Sequence, residues 1–210
     1  ALVRRGLLVA APAVIGFGER RFAADLTAGQ TGASSCHRMA TNLLLEGRTL
    51  LGLRVAEAAG ALSWLRAHPA CASRRTGLTG FSGGALIASV LSALDGRLDA
   101  TMLTGFPNTF HDSIMAINHC IDNYLPGILE HAELPDLLAC IAPRPLFLET
   151  GRDDHIFPLA GFEQALAAVT LAYRRAGAET ALGSNVFAGG HEVRDGLSFD
   201  WLARHLEAGT

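Results

Sequence analysis

The chain has 210 residues, half of them hydrophobic, and a formal net charge of −3. This length and composition predict one globular domain that buries its own core, and they exclude disordered, collagen-like and disulfide-stabilised chains. All 17 basic residues are arginine, which excludes P-loop and Schiff-base chemistry because both need a lysine, and the slightly acidic charge argues against nucleic acid as a partner.

The N-terminal segment joins a basic pair to an apolar run over residues 7–15. This arrangement is similar to a signal peptide, but Pro12 interrupts the run and no cleavage site of small residues follows. We predict instead a helix end closed by Gly6, a buried strand over residues 7–11 and a polar loop over residues 16–35. No apolar stretch is long and uncharged enough to span a bilayer.

Helical and strand patterns alternate along the rest of the chain. The predicted elements, in order, are a helix over 41–68 with a break near Gly52, a strand over 76–81, a helix over 85–94, a strand over 98–103, loops and short helices over 106–140, a strand over 145–150, a helix over 159–176, a strand over 180–187 and a helix over 193–206. This alternation predicts an α/β fold, a mostly parallel sheet with helices on both faces. We expect a single domain over 1–210, with the segment 106–140 covering the site like a lid.

The most informative motif is Gly-Phe-Ser-Gly-Gly over residues 80–84, between a predicted strand and a predicted helix. It matches the G-x-S-x-G nucleophile elbow, in which a sharp turn lifts the serine oxygen out of the sheet and glycines relieve the crowding around it. Ser82 is therefore a candidate nucleophile. The N–H of Gly83 is a candidate oxyanion donor, and Phe81 is a candidate substrate-binding residue. His119, in the segment expected to cover the nucleophile, is a candidate pocket residue.

A serine hydroxyl needs a general base, and the base needs a carboxylate that orients it. His191 follows the last predicted strand in a Gly-Gly-His sequence, and Asp154 follows the preceding strand. His191 would accept the proton of Ser82 and later protonate the leaving alkoxide. Asp153 competes for the acid position, but we favour Asp154 because it lies four residues before Pro158.

Several other polar clusters could hold a metal ion, but none shows the ligand spacing of a metal motif, and we predict no metal. These clusters are His111 with Asp112, the group Glu130, His131, Glu133 and Asp136, and the run 153–155. Residues 16–18, Gly-Phe-Gly, start a dinucleotide fingerprint that fails because Arg21 occupies the third small position. The four cysteines form no C-x-x-C pair and are predicted to be buried, reduced thiols: they are Cys36, Cys71, Cys120 and Cys140.

These residues together resemble the α/β-hydrolase superfamily, and within it the branch of dienelactone hydrolases and acetyl xylan esterases. The resemblance implies a triad of Ser82, Asp154 and His191, hydrolysis of a carboxylic ester, and no cofactor. Dienelactone hydrolases carry cysteine at the nucleophile, so Ser82 favours the esterase side. Ala13 stands where relatives often have aspartate, and His155 stands where they often have proline. The strings that carry the resemblance are residues 11–12, 16–21 (Gly-Phe-Gly-Glu-Arg-Arg), 80–84, 119–120, 123–127 (Asn-Tyr-Leu-Pro-Gly), 134–136, 141–145 (Ile-Ala-Pro-Arg-Pro), 154 with 157–158, and 189–192 (Gly-Gly-His-Glu).

The start of the chain resembles the helix that precedes the fourth strand of the α/β-hydrolase fold. The first three strands, and the loop that supplies a second oxyanion donor, have no counterpart in these 210 residues. Because the third strand of the fold lies between the fourth and the fifth, we expect a gap inside the sheet. The sequence is either a piece of a longer protein, which we favour because it starts at Ala1, or one whose sheet has closed up or borrowed strands from a second chain.

Three functions remain open. The first is a serine esterase acting on small or acylated-sugar esters. The second is a serine peptidase similar to prolyl oligopeptidases, which share the elbow and the triad order. The third is a non-catalytic hydrolase-fold protein, whose mark would be a lost triad residue, and none is lost.

We expect a small-molecule ester as the partner, and the sequence leaves open whether the chain forms a homo-oligomer. Location in the cytoplasm is favoured, with secretion open because a signal peptide would lie upstream of Ala1; the arginine-only composition favours a bacterial source.

Overall fold

The computed structural model describes residues 1–25, 34–71 and 74–207, so part of the predicted polar loop, residues 26–33, lies outside the described residues. Within these ranges the sheet has four parallel strands in the order β1-β2-β3-β4. They are β1 (Gly77–Phe81), β2 (Ala100–Thr104), β3 (Leu146–Gly151) and β4 (Leu182–Phe187). The carboxyl ends of all four strands therefore lie at one edge of the sheet. Strands β2 and β3 are buried along their whole length, as expected for parallel strands covered on both faces.

The described part of the chain has six α-helices. They are α1 (Cys36–Leu45), α2 (Leu50–Ala67), α3 (Gly83–Leu94), α4 (Leu134–Ala139), α5 (Leu159–Arg175) and α6 (Leu197–Glu207). Alternate residues of β3 face opposite sides: Leu148 joins the large core formed with α2 to α5, and Phe147 packs on Trp201 of α6. The predicted α/β architecture with helices on both faces is confirmed. None of the described helices is long and apolar enough to cross a membrane.

The predicted helix over 41–68 is in fact two helices. Gly47, with φ +69°, follows the end of α1, and the Thr49 side chain accepts a hydrogen bond from the Gly52 N–H at 3.0 Å at the start of α2. The break therefore precedes Gly52, because a left-handed glycine ends one helix and a threonine cap begins the next. The closing helix begins at Leu197 rather than at residue 193, and the strand ends differ from prediction by one or two residues.

The predicted buried strand over residues 7–11 is wrong. Gly6, with φ +81°, closes a short helical turn as predicted, but the residues that follow have no regular structure and are mostly exposed. Residues 9–14 lie across a groove from β1, and the cavity between them measures about 600 Å³. A strand forms only where its backbone groups reach a partner strand. The groove separates the two segments and lies where the gap in the sheet is expected.

The four cysteines are all free thiols, as predicted, but only two of them are buried. Cys36 and Cys71 lie in the interior, whereas Cys120 and Cys140 are exposed. The prediction of burial is therefore wrong for Cys120 and Cys140. Cys140 follows the last residue of α4, and Cys120 lines a cavity, so neither belongs to the apolar face of a helix.

Candidate active site

Ser82 lies at the sharp turn between β1 and α3. Its φ of +53° makes it the one non-glycine residue with a left-handed φ among those described. Backbone strain of this kind is concentrated at functional sites. The turn also requires glycine nearby, because a Cβ on Gly80 would lie 2.3 Å from the carbonyl oxygen of Gly84. The strand, turn and helix expected from the G-x-S-x-G motif are all present here.

The structure brings Ser82, His191 and Asp154 together from three separate segments. His191 Nε2 lies 2.9 Å from the Ser82 Oγ, and His191 Nδ1 lies 2.7 Å from the Asp154 Oδ2. The serine follows β1, the aspartate follows β3 and the histidine follows β4, so all three lie at the edge formed by the carboxyl ends of the parallel strands. These distances form a continuous chain of hydrogen bonds from hydroxyl to carboxylate.

Both carboxylate oxygens of Asp154 are occupied. Its side chain is fully buried; Oδ2 pairs with His191, and Oδ1 accepts from the backbone N–H groups of Ile156 at 2.9 Å and Phe157 at 3.0 Å. Burial by itself would raise the pKa of Asp154, but the hydrogen bonds from His191 and the two N–H groups outweigh it and lower the pKa below its usual range. Asp154 therefore remains ionised beside the imidazole.

Asp153, the competing candidate for the acid, points elsewhere. Its side chain is exposed, and its backbone N–H donates to the Gly189 carbonyl oxygen at 2.8 Å. That bond ties the loop after β3 to the loop after β4. The structure thus places Asp154, and not Asp153, against His191.

Two phenylalanine rings hold the His191 imidazole in place. The ring of Phe157, fully buried, stacks on His191 with centroids 5.5 Å apart, and the ring of Phe81 lies 4.7 Å away. Phe81 does not line the cavity above Ser82. The structure places Phe81, the predicted substrate-binding residue, against the His191 ring.

A cavity of about 480 Å³ opens over Ser82. One wall carries Ser82, Gly83 and His191, and the opposite wall comes from the segment predicted to cover the nucleophile. Gly83 starts α3, and the first N–H groups of a helix have no partner inside the helix. The Gly83 N–H is thus available to an oxygen bound next to Ser82. The lining residues on the covering side are Ile117, Asn118, His119, Cys120, Asp122 and Asn123.

His119 is half-buried in this wall and its ring is held from two directions. Its Nδ1 lies 2.9 Å from the Cys120 backbone nitrogen and 2.9 Å from Nδ2 of Asn123. The ring also meets the edge of Phe157, with centroids 5.7 Å apart. The predicted pocket residue is therefore in the pocket, and Phe157 contacts both His119 and His191.

A buried ion pair beneath the covering wall escaped the sequence analysis. Arg54 of α2 pairs with Asp122, and both side chains are almost completely buried. The Arg54 guanidinium also donates to the Ile15 carbonyl oxygen at 2.9 Å and lies over the ring of Phe17. The pair anchors the covering wall to α2 and to the N-terminal segment. No local motif marks it, because the partners are 68 residues apart.

Glu133, one of the residues considered as metal ligands, has a structural role. The Glu133 carboxylate accepts hydrogen bonds from the backbone N–H groups of Phe110 at 2.8 Å, His111 at 2.9 Å and Leu134 at 2.6 Å. Glu133 therefore caps α4 and ties residues 110–111 to it. Among the described residues no three histidine, cysteine or acidic side chains are grouped as metal ligands.

Comparison with known proteins gives one match among curated sequences. The chain is 26% identical over 166 residues to a protein of Bacillus subtilis, YtaP, provisionally named as a hydrolase. The match covers 78% of this chain and 52% of that protein, so the chain spans about half the length of the curated relative it matches. No protein-family model matches the sequence.

Several solved structures resemble this chain in backbone fold, although their sequence identity to it is low. A glucuronoyl esterase from Solibacter usitatus superposes with a TM-score of 0.62 at 18% identity, over 87% of this chain and 53% of that one. A protein from Bacteroides fragilis, provisionally named as an acetyl xylan esterase, gives a TM-score of 0.60 at 21% identity, over 72% and 39%. The fold is that of the α/β-hydrolases. An esterase of carbohydrate esterase family 15 from a marine bacterial metagenome superposes with a TM-score of 0.60 at 16% identity, over 76% and 49%.

The α/β-hydrolase fold explains why the three triad candidates meet. In this fold the nucleophile, the acid and the histidine occur in that order along the chain, each at the end of a strand. Ser82, Asp154 and His191 occur here in that order. The expected similarity to acetyl xylan esterases is confirmed for the fold, whereas the similarity to dienelactone hydrolases stays a prediction.

Proposed function

We propose that the chain is a serine carboxylic-ester hydrolase in which Ser82 is the nucleophile, His191 the general base and Asp154 the orienting acid. The observation that carries the proposal is the hydrogen-bond chain of 2.9 Å from Ser82 to His191 and 2.7 Å from His191 to Asp154. The α/β-hydrolase fold and the esterase names of the superposed structures support it.

The proposed acylation step begins with attack by the serine oxygen. Oγ of Ser82 bonds to the ester carbonyl carbon while its proton passes to Nε2 of His191, and the carbonyl π electrons move to the oxygen as an oxyanion. When the oxyanion collapses, the bond to the alcohol oxygen breaks and the leaving alkoxide takes the proton from His191. Water repeats these steps on the acyl-enzyme, releasing the acid and restoring Ser82.

Asp154 and Gly83 support this sequence electrostatically. An ionised Asp154 accepts from Nδ1–H of His191, which leaves Nε2 as the acceptor facing Ser82 and stabilises the imidazolium that forms. The Gly83 N–H, at the start of α3, donates to the oxyanion. The proposed mechanism uses no cofactor.

We propose small or acylated-sugar esters as the substrate class. The cavity over Ser82, about 480 Å³, is in the size range of small-molecule sites. Its walls mix apolar side chains with Asn118, His119 and Asn123, which can hydrogen-bond to hydroxyl groups. The names acetyl xylan esterase and glucuronoyl esterase among the superposed structures describe sugar esters.

Matched ester and amide substrates test the proposal. The purified chain would be assayed with 4-nitrophenyl acetate, with acetylated xylose and with a proline-containing peptide anilide, beside Ser82→Ala and the exposed control Ser63→Ala. We expect turnover of the esters, none of the anilide, and loss of activity in Ser82→Ala alone. Faster turnover of the anilide would favour a peptidase. No turnover by the folded wild-type chain would favour the non-catalytic alternative.

A further inference from the structure

The hydrogen bonds at His119 fix where its ring proton lies. A backbone N–H can only donate, so the contact of 2.9 Å from the Cys120 nitrogen makes Nδ1 of His119 an acceptor. In a neutral imidazole one nitrogen accepts and the other carries the proton. The ring proton of His119 is therefore on Nε2.

The same contact orients the Asn123 side chain. An accepting Nδ1 needs a donor from Asn123, so the carboxamide turns Nδ2 towards His119, 2.9 Å away. Oδ1 of Asn123 then faces Gly83, lying 3.7 Å from where a Cβ of Gly83 would be. Asn123 is almost fully buried. The carboxamide thus donates to the imidazole of His119 and has its oxygen on the side of Gly83.

Nε2–H of His119 is available to a ligand. Among the described residues it has no hydrogen-bond partner, and the ring lines the cavity that contains Ser82, Gly83 and His191. Burial lowers the pKa of His119, and this outweighs the opposing effects of Asp122 and of the Cys120 backbone; the nearby His191 lowers the pKa further. The ring therefore stays neutral near pH 7 and donates without carrying a charge.

We propose that His119 is a further catalytic residue: its neutral imidazole donates Nε2–H to the substrate carbonyl oxygen and, with the Gly83 N–H, forms the oxyanion hole. A neutral histidine can polarise a carbonyl in this way. The role rests on the proposed esterase function and deepens it, because Gly83 supplies one donor and an effective oxyanion hole combines several. Asn123 is a positioning residue that acts through His119.

Steady-state kinetics distinguish a hydrogen-bond donor role of His119 from a role of its ring in the shape of the pocket. We expect His119→Phe, which keeps a ring but has no donor, to lower kcat for 4-nitrophenyl acetate about 10²–10³-fold with KM nearly unchanged. His119→Gln, which keeps an N–H donor, should recover part of the loss, and His131→Gln, an exposed change in the same segment, should match wild type. An unchanged kcat in His119→Phe, or a loss confined to KM, would overturn the proposal.

The tautomer can be read without any activity. Long-range ¹H–¹⁵N spectra of the histidine-labelled chain, assigned with His119→Gln, should show the His119 proton on Nε2 at pH 8. A proton on Nδ1 would overturn the proposal whether or not His119→Phe folds. A wild-type chain that hydrolyses no ester while His119 shows the expected tautomer would mean that the proposed function has failed, and the catalytic role would fall with it.

Discussion

The α-carbon of Gly151 lies against the carbonyl group of Gly190 so closely that a Cβ at position 151 would stand 2.1 Å from the Gly190 oxygen. Gly151 ends β3 and precedes the loop with Asp154, and Gly190 immediately precedes His191. The spacing between acid and base is therefore set by backbone contact between two loops. A side chain at position 151 would push the loops apart.

We expect Gly151→Ala to lower both ester hydrolysis and the free energy of unfolding, because the clash is with backbone atoms that no rotamer change relieves. Gly60→Ala is the matched control: its Cβ meets open space in α2, and the change should stabilise the chain by about 0.5–1 kcal/mol. Urea unfolding and the acetate-ester assay check both variants. Wild-type activity in Gly151→Ala would show that the contact does not set the spacing between Asp154 and His191.

Replacing Asp153 and Asp154 one at a time distinguishes their roles. Asp154→Asn should lower kcat by about 10⁴-fold, because an amide stabilises the wrong His191 tautomer. Asp153→Asn, an exposed change next to it, should leave kcat unchanged. Steady-state kinetics on one ester would measure both effects. Equal losses in the two variants, or a larger loss in Asp153→Asn, would contradict the assignment of the acid.

Breaking the buried pair of Arg54 and Asp122 should destabilise the chain strongly. We expect Arg54→Met to lower the free energy of unfolding by about 3–5 kcal/mol, because it leaves a buried carboxylate without its partner. The double variant Arg54→Met with Asp122→Leu should lose less, because it leaves no buried charge. Denaturant unfolding of the single and double variants tests this. A double variant less stable than Arg54→Met would contradict the argument.

Asp95 provides a prediction about pH. Hydrogen bonds from the Arg97 guanidinium lower its pKa from 3.8 to about 2. Since the pKa in the folded chain is depressed, the contribution to stability is present above the unfolded value, near 4, and is lost as the pH falls through about 2. Asp95→Asn should therefore be less stable than wild type at pH 7, with the difference shrinking below pH 4. A difference that does not depend on pH would exclude the charge as its cause.

Local motifs made much of the fold and the triad candidates predictable from the sequence. Ser82 lies two residues after Gly80, which the turn requires, and Asp154 and His191 follow strands whose apolar runs are plain in the sequence. The same kind of apolar run led to the wrong prediction of a strand over residues 7–11. The run is typical of a buried strand, but a strand also needs a partner strand, which sequence periodicity does not reveal. Whether such a run is paired and buried depends on the rest of the sheet.

Contacts between distant residues were beyond the reach of sequence patterns. Arg54 and Asp122 carry no motif, and the position of Asn123 on the side of Gly83 depends on how residues 106–140 pack against α3. The expected single domain over 1–210 and the lid-like role of residues 106–140 stay predictions. Inner walls of pockets are formed by such long-range packing, so they appear only once the fold is assembled.

The proposed esterase function depends most directly on whether Ser82 is an activated nucleophile. The intact chain would be treated with a fluorophosphonate and weighed by mass spectrometry, beside Ser82→Ala, His191→Ala and the control Ser63→Ala. We expect a single adduct on wild type and on Ser63→Ala, none on Ser82→Ala, and little or none on His191→Ala. A folded wild-type chain without an adduct, or an adduct that persists in Ser82→Ala, would contradict the proposed function.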